Sequence, residues 1–169
     1  MSCNTKKTTP QKAIVISKTA YQLDSNLNRN IPMEIYENIS DTSKKGLVIL
    51  NAGYGCSNTE YTYIARFLAS KNYLVIATHH EQETDPMLPS GEDLYTLRLP
   101  NWKEGVLNIE LILNYLEDEY SWINLDKINL IGHSNGGDIA CLYASTYPDK
   151  IASLITSIDF LTKHFISNL

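Results

Sequence analysis

The chain has 169 residues, of which 43% are hydrophobic and 20% charged, and its formal net charge is −5. These fractions predict one folded domain with a hydrophobic core and exclude intrinsic disorder. The acidic pI of about 5.3 and the absence of a basic stripe argue against nucleic acid as a partner. No apolar run approaches the roughly 18 residues of a membrane span.

Residues 1–12 are polar and are expected to form a disordered N-terminus. Ser2 and Cys3, followed by Asn, Thr and Lys, resemble the mature start of a bacterial lipoprotein, whose cysteine carries the lipid. The sequence as given has no apolar segment ahead of Cys3, so a cytoplasmic location is expected. A true start upstream of Met1 would instead favour the lipoprotein.

Two strands are predicted first, over residues 13–17 and 31–39, with a polar, Asn-rich connection over 24–30. The second strand mixes apolar alternation with charge, which is typical of an edge strand. A continuous apolar run over 46–50 follows a short turn. Such a run indicates a strand that is buried on both faces of a parallel sheet.

Strands and helices alternate from residue 46 onward. This alternation predicts an α/β fold, with a mostly parallel sheet and helices on both of its faces. A long polar loop over 79–100 is expected to line a site, because loops of that length in compact domains usually have a role. The predicted strands are 46–50, 73–78, 125–131 and 152–158, and the predicted helices run from Asn58 or Thr59 to Lys71, from Pro100 to about Tyr120, and from the turn at Ser134 to Tyr147.

Polar clusters follow four of these predicted strands. Ligands of parallel sheets bind beyond the carboxyl ends of the strands, so the clusters are expected to share one rim. The rim is therefore the predicted site. Its members are Gly53 with Tyr54, His79 with His80, Ser134, and Asp159.

The pentapeptide Gly132–Gly136 has the pattern Gly-x-Ser-x-Gly, between an apolar run and a segment with helical apolar spacing. A serine hydroxyl is a weak nucleophile unless it is exposed and a base is aimed at it. A sharp strand-to-helix turn exposes the hydroxyl, and flanking glycines let the turn form without side-chain clashes. The pattern predicts Ser134 as a nucleophile. The alternative is a glycine-rich turn that serves packing alone.

The strand order, this turn and the loop Gly53–Gly55 resemble the α/β-hydrolase family from about Gly46 to Asp159. The resemblance implies attack by Ser134 on an ester or other acyl compound, through an acyl-enzyme. It also implies an oxyanion hole formed by the backbone N–H groups of Tyr54 and Asn135, with no metal or organic cofactor. The alternative for the loop Gly53–Gly55 is that it is an ordinary strand-to-helix turn without a role in an oxyanion hole.

The family carries its acid and its histidine after the nucleophile. The resemblance implies that Asp159 is the acid. The alternative is that Asp159 caps a helix or turn at the start of the tail. His164 is a weak candidate for the base, because the final strands that precede the family's histidine are missing from this chain. The chain is thus expected to contain a partial hydrolase domain over 13–159 and an unassigned tail over 160–169.

The other histidines and the cysteines predict no metal site. His133 lies in the turn itself and is expected to pack away from the serine. The adjacent His79 and His80 are expected to line the pocket at most, because no further ligand has a workable spacing. The three cysteines lack CxxC spacing and a disulfide pattern, so they are expected to be independent thiols.

These patterns predict a serine hydrolase of a small acyl or ester substrate, with activity impaired by the loss of the C-terminal base. The alternative is an inactive fragment or a non-catalytic binding module of the same fold. A sheet that lacks its last strands leaves an open edge at 152–158, which favours self-association. A nucleotide-binding domain is disfavoured, because no Gly-x-Gly-x-x-Gly follows the first strand.

Overall fold

The computed structural model describes residues 14–24 and 29–157. The predicted N-terminus over 1–12 and the tail over 160–169, with Asp159 and His164, lie outside the described residues. The strands of the described part are β1 (Val15–Asp24), β2 (Arg29–Asn38), β3 (Gly46–Asn51), β4 (Tyr73–Thr78), β5 (Ile128–His133) and β6 (Ile151–Ser157). The helices are α1 (Thr62–Ser70), α2 (Leu94–Glu119) and α3 (Asn135–Thr146).

The strands form one sheet in the order β1-β2-β4-β3-β5-β6. β1 and β2 are an antiparallel pair, and β2 is antiparallel to β4. From β4 to β6 every pairing is parallel, so the carboxyl ends of these four strands share one edge. The predicted fold class, a mostly parallel α/β sheet, is confirmed.

Helices cover both faces of the sheet. On one face, Ala65 and Ala69 of α1 pack in a cluster with Val48 and Leu50 of β3. On the other face, α2 and α3 pack in a larger cluster that includes Leu47 of β3. Neighbouring residues of β3 therefore contribute to opposite cores, which explains why residues 47–50 of this strand are all apolar.

The two helices on the larger face approach each other closely. A Cβ atom added to Gly105 of α2 would lie 2.5 Å from the Cδ1 atom of Ile139 in α3. Trp102, three residues before this glycine on the same helix, is fully buried. The contact fixes α3 against α2 and therefore fixes the turn from which α3 begins. None of the helices in the described ranges is long and apolar enough to cross a membrane.

The prediction that the second strand forms an edge is wrong, because β2 lies between β1 and β4. The two glutamates of β2 fit inside the sheet because each has a partner. Glu34 accepts a hydrogen bond of 2.7 Å from the Thr19 hydroxyl on β1, and Glu37 forms an ion pair of 2.8 Å with Lys44. The edges of the described sheet are β1 and β6.

Two helices begin at other residues than predicted. α2 begins at Leu94, with Pro100 inside it, because the Asp93 carboxylate accepts a hydrogen bond from the Thr96 N–H at 3.1 Å and caps the helix. The polar loop after β4 is correspondingly shorter. α1 begins at Thr62 without a side-chain cap, and the predicted capping residue Thr59 forms a turn just before it.

Candidate active site

Ser134 occupies the turn between β5 and α3 and is exposed. Its backbone has φ 50° and ψ −126°, a region that side chains other than glycine rarely adopt and that costs about 1–3 kcal/mol. The surrounding hydrogen bonds hold this conformation. The Ser134 N–H donates to the Ser157 carbonyl of β6 at 2.7 Å, and its own carbonyl accepts from Gly137 at 2.8 Å. The sheet and the helix therefore present the serine side chain at the carboxyl edge of the sheet.

The glycines that flank the serine are required by close backbone packing. A Cβ atom on Gly132 would lie 2.5 Å from the Gly136 carbonyl oxygen. A Cβ atom on Gly136 would lie 2.5 Å from the Asn51 carbonyl oxygen and closer still to that of Ala52. Because neither position carries a side chain, the first turn of α3 can lie directly on the end of β3. The pentapeptide pattern thus reflects a steric requirement of this turn.

The loop after β3 lies directly beside the serine. A Cβ atom on Gly53 would be 3.3 Å from the Ser134 Cβ and 3.0 Å from the His133 Nδ1. The Cys56 N–H donates to the Gly53 carbonyl at 3.0 Å and closes a turn, in which Gly55 has the positive φ of 73° that favours glycine. Tyr54, the first residue inside this turn, is 40% exposed. The structure therefore brings the two predicted oxyanion loops together.

Asn135 is the first residue of α3 and is 2% exposed. Its side chain binds three residues. The Asn135 Oδ1 accepts from the Trp102 Nε1–H at 2.8 Å, and its Nδ2 donates to Glu81 Oε1 at 2.7 Å and to Asn101 Oδ1 at 3.0 Å. Burial raises the pKa of the Glu81 carboxyl, although the bond from Asn135 opposes that shift. Glu81 belongs to the polar loop that was expected to line a site, whereas no sequence pattern connected Asn101 or Trp102 with Asn135.

A cavity of about 450 Å³ opens beside the loop after β3. Tyr54, His79 and Glu81 are among the residues that line it. His79 has a buried Nδ1 atom without a hydrogen-bond partner among the described residues, and burial lowers the pKa of its imidazole. His80 is buried instead, and its Nε2 lies 3.0 Å from Asn51 Oδ1. Of the two adjacent histidines, His79 is thus the one that lines the cavity.

His133 contacts α1. Its Nδ1 shares a hydrogen bond of 2.7 Å with the Tyr61 hydroxyl, and burial raises the pKa of that hydroxyl to about 12. Within residues 14–24 and 29–157, no side chain hydrogen-bonds to the Ser134 hydroxyl. Across the same residues, no group of three or more His, Cys, Asp or Glu side chains is arranged to hold a metal ion. The described part therefore contains the predicted nucleophile turn without a bonded base.

The family model for the alpha/beta hydrolase fold matches residues 46–159 of the chain. The chain belongs to the alpha/beta hydrolase fold family. The matched segment begins at β3 and contains both loops of the candidate site. The family assignment therefore confirms the resemblance that the turn at Ser134 and the loop at Gly53 suggested.

Two curated relatives of this alpha/beta hydrolase are poly(3-hydroxyalkanoate) polymerase subunits PhaC. The chain is 25% identical to the subunit of Thiocystis violacea over 105 residues and 25% identical to that of Allochromatium vinosum over 108 residues. Each similarity covers 56% of the chain but only 30% of the relative. The chain thus corresponds to less than a third of their length.

Solved structures show the same fold. A dienelactone hydrolase-like promiscuous phosphotriesterase from metagenomic libraries matches with a TM-score of 0.64 at 13% identity, over 85% of this chain and 59% of its own. The S-formylglutathione hydrolase FrmB from Staphylococcus aureus also has a TM-score of 0.64, at 16% identity, over 94% of this chain and 64% of its own. At these identities the matches establish the fold alone.

Proposed function

We propose that the chain is a serine hydrolase in which Ser134 attacks an ester or another small acyl compound. The observation that carries this proposal is the exposed Ser134 at φ 50°, between a buried strand and the N-terminus of α3. The names of the similar proteins include hydrolases and a polymerase subunit, so they do not select one reaction. The turn supports acyl transfer, because an exposed serine lies beside backbone N–H groups that have no hydrogen-bond acceptor among the described residues.

In the proposed reaction the Ser134 oxygen attacks the acyl carbon, and the hydroxyl proton passes to a base. The negative charge on the tetrahedral intermediate is stabilised by the N–H groups of Tyr54 and Asn135. Two features support this role. The first N–H groups of a helix have no intrahelical acceptor, and the Tyr54 N–H has no hydrogen-bond partner among the described residues. Each such donor contributes about 3 kcal/mol in related enzymes.

The intermediate then collapses to an acyl-enzyme on Ser134, and the base returns its proton to the departing alcohol. A water molecule gives a proton to the base and attacks the acyl carbon, which releases the acid and restores the Ser134 hydroxyl. The cavity of about 450 Å³ beside Tyr54 has the size of a small-molecule site, although Ser134 is not among its lining residues. Asp159 as the acid and His164 as the base remain proposals on residues outside the described ranges. Neither a metal nor an organic cofactor enters the proposed steps.

A second candidate is an inactive fragment or a non-catalytic binding module of the same fold. It is favoured by one observation: within the described residues, the Ser134 hydroxyl has no hydrogen-bonded base. A serine without a base attacks slowly. The two candidates therefore differ in whether the chain forms and hydrolyses an acyl-enzyme.

We expect the 169-residue chain to release nitrophenol from p-nitrophenyl acetate slowly, and Ser134→Ala to lower the rate to the residual level that the oxyanion donors and substrate binding support alone. That residual level is roughly 10³–10⁴-fold over water in enzymes that lose a triad member, so the difference between the two rates reports attack by Ser134. Ser157→Ala is the matched control, because this exposed serine ends the neighbouring strand. Release that is the same in Ser134→Ala and in the unmodified chain would contradict the proposal. Fast turnover that depends on Ser134 would contradict the expected impairment.

We also propose that the chain self-associates through β6. In the described sheet β6 pairs with β5 alone, and no residue of Ile151–Ser157 is charged. Leu154 is 38% exposed and Ile155 is 61% exposed. Edge strands that remain monomeric usually carry charge or proline, so this uncharged edge is open to pairing with a second copy.

Sedimentation velocity over a range of protein concentrations tests this association. We expect the unmodified chain to shift toward a dimer as its concentration rises, and Ile155→Lys to remain monomeric because it places a charge on the edge. Ile14→Lys is the matched control, because Ile14 is 55% exposed beside the opposite edge strand. A monomer at every concentration, or equal association in Ile155→Lys, would exclude this edge as the interface.

A further inference from the structure

The start of α3 has no side-chain cap. Ser134 occupies the N-cap position, but its side chain makes no capping hydrogen bond to the helix. The first turn of a helix without such a bond frays easily, because its N–H groups have no internal acceptors. Asn135 nevertheless is 2% exposed. Another interaction must hold this residue in place.

The Asn135 side chain supplies that interaction. It connects α3 to α2 through Trp102 and Asn101, and to the segment after β4 through Glu81. An amide group offers two N–H donors and one carbonyl acceptor. Here both donors and the acceptor are used, at 2.7, 3.0 and 2.8 Å. Three partners from two separate elements leave the side chain a single orientation.

We propose that the Asn135 side chain, held by Glu81, Asn101 and Trp102, is a positioning group that fixes the direction of the Asn135 backbone N–H beside Ser134. The inference rests on the proposed function, in which this N–H stabilises the oxyanion. The side-chain amide and the backbone N–H belong to the same residue. Holding the side-chain amide in place therefore restricts the orientation of the backbone N–H. A donor that is displaced by about 1 Å loses up to about a hundredfold in rate.

Glu81 is the member of this network whose contribution substitution can isolate. A hydrogen bond to an ionised carboxylate is stronger than one between neutral groups. Glu81→Ala removes the acceptor, whereas Glu81→Gln retains an amide oxygen at the same reach. Glu92 offers a matched control, since it is exposed in the same loop between β4 and α2 and does not line the cavity.

The rate test measures the first turnover of p-nitrophenyl acetate at saturating and subsaturating ester. We expect Glu81→Ala to lower the acylation rate by about tenfold or more, with little change in the apparent KM, because the donor acts in the transition state. We expect Glu81→Gln to stay within about threefold of the unmodified chain, and Glu92→Ala to match it. An unchanged rate in Glu81→Ala, or an equal loss in Glu92→Ala, would overturn the inference.

A second measurement separates the network from the reaction. In ¹H–¹⁵N NMR spectra we expect Glu81→Ala to shift the backbone N–H signal of Asn135 and the indole N–H signal of Trp102. The indole signal of Trp122, which is 41% exposed, is the internal reference and should stay unchanged. An unmoved Asn135 signal would refute the positioning role whatever the rates. In a further outcome, the unmodified chain releases no nitrophenol in a Ser134-dependent way while the Asn135 N–H signal still shifts in Glu81→Ala. That result would refute the proposed function and support the positioning role of the Asn135 side chain.

Discussion

We expect Gly136→Ala to lower the free energy of unfolding by about 3 kcal/mol or more. The added methyl group would lie 2.5 Å from the Asn51 carbonyl oxygen and closer to that of Ala52. Both obstacles are backbone atoms at the end of a central strand, so neither can rotate away. Relief requires the whole first turn of α3 to move off the sheet, which disrupts the presentation of Ser134. Urea denaturation followed by far-UV circular dichroism measures the loss.

Gly55→Ala is the matched control for this substitution. Gly55 lies in the neighbouring loop with φ 73°, and nothing is within 4 Å of an added Cβ atom. Alanine there is expected to cost only about 1–2 kcal/mol, because the penalty is a left-handed backbone without a clash. Equal losses in the two variants would show that α3 does not pack on the end of β3 as described.

Local patterns were sufficient to predict the sheet from β3 onward. The runs over 47–50 and 74–77 are apolar at every position because each strand is covered on both faces. The turn at Ser134 was also predictable. A side chain at position 132 would clash with the start of the following helix, and one at position 136 would clash with the end of the adjacent strand, so both positions require glycine.

Features that depend on distant residues were not predictable. The clamp on Asn135 joins residues separated by 54, 34 and 33 positions in sequence, and no local pattern marks those partners. The start of α2 was mistaken because proline is common at a helix start, whereas here the Asp93 cap begins the helix earlier. The interior place of β2 follows from its pairing with β4, which charge alternation along one strand does not show.

The account depends on residue 134 being exposed and polarised by the start of α3. A thiol tests this without a base, because a thiolate reacts on its own and a helix N-terminus lowers the pKa of a thiol. Ser134→Cys places such a thiol in the turn. Ser145→Cys is the matched control, since Ser145 is exposed in the last turn of the same helix, where the dipole favours the neutral thiol.

The decisive measurement is the rate of alkylation by iodoacetamide at pH 7, assigned to each cysteine by peptide mass mapping. Mapping separates the new thiols from the three native cysteines, which are Cys3 and the half-buried Cys56 and Cys141. We predict that Cys at position 134 reacts about tenfold faster than Cys at position 145, because its thiolate fraction is larger. An equal or slower reaction at position 134 would contradict the claim that residue 134 is exposed and polarised by the start of α3.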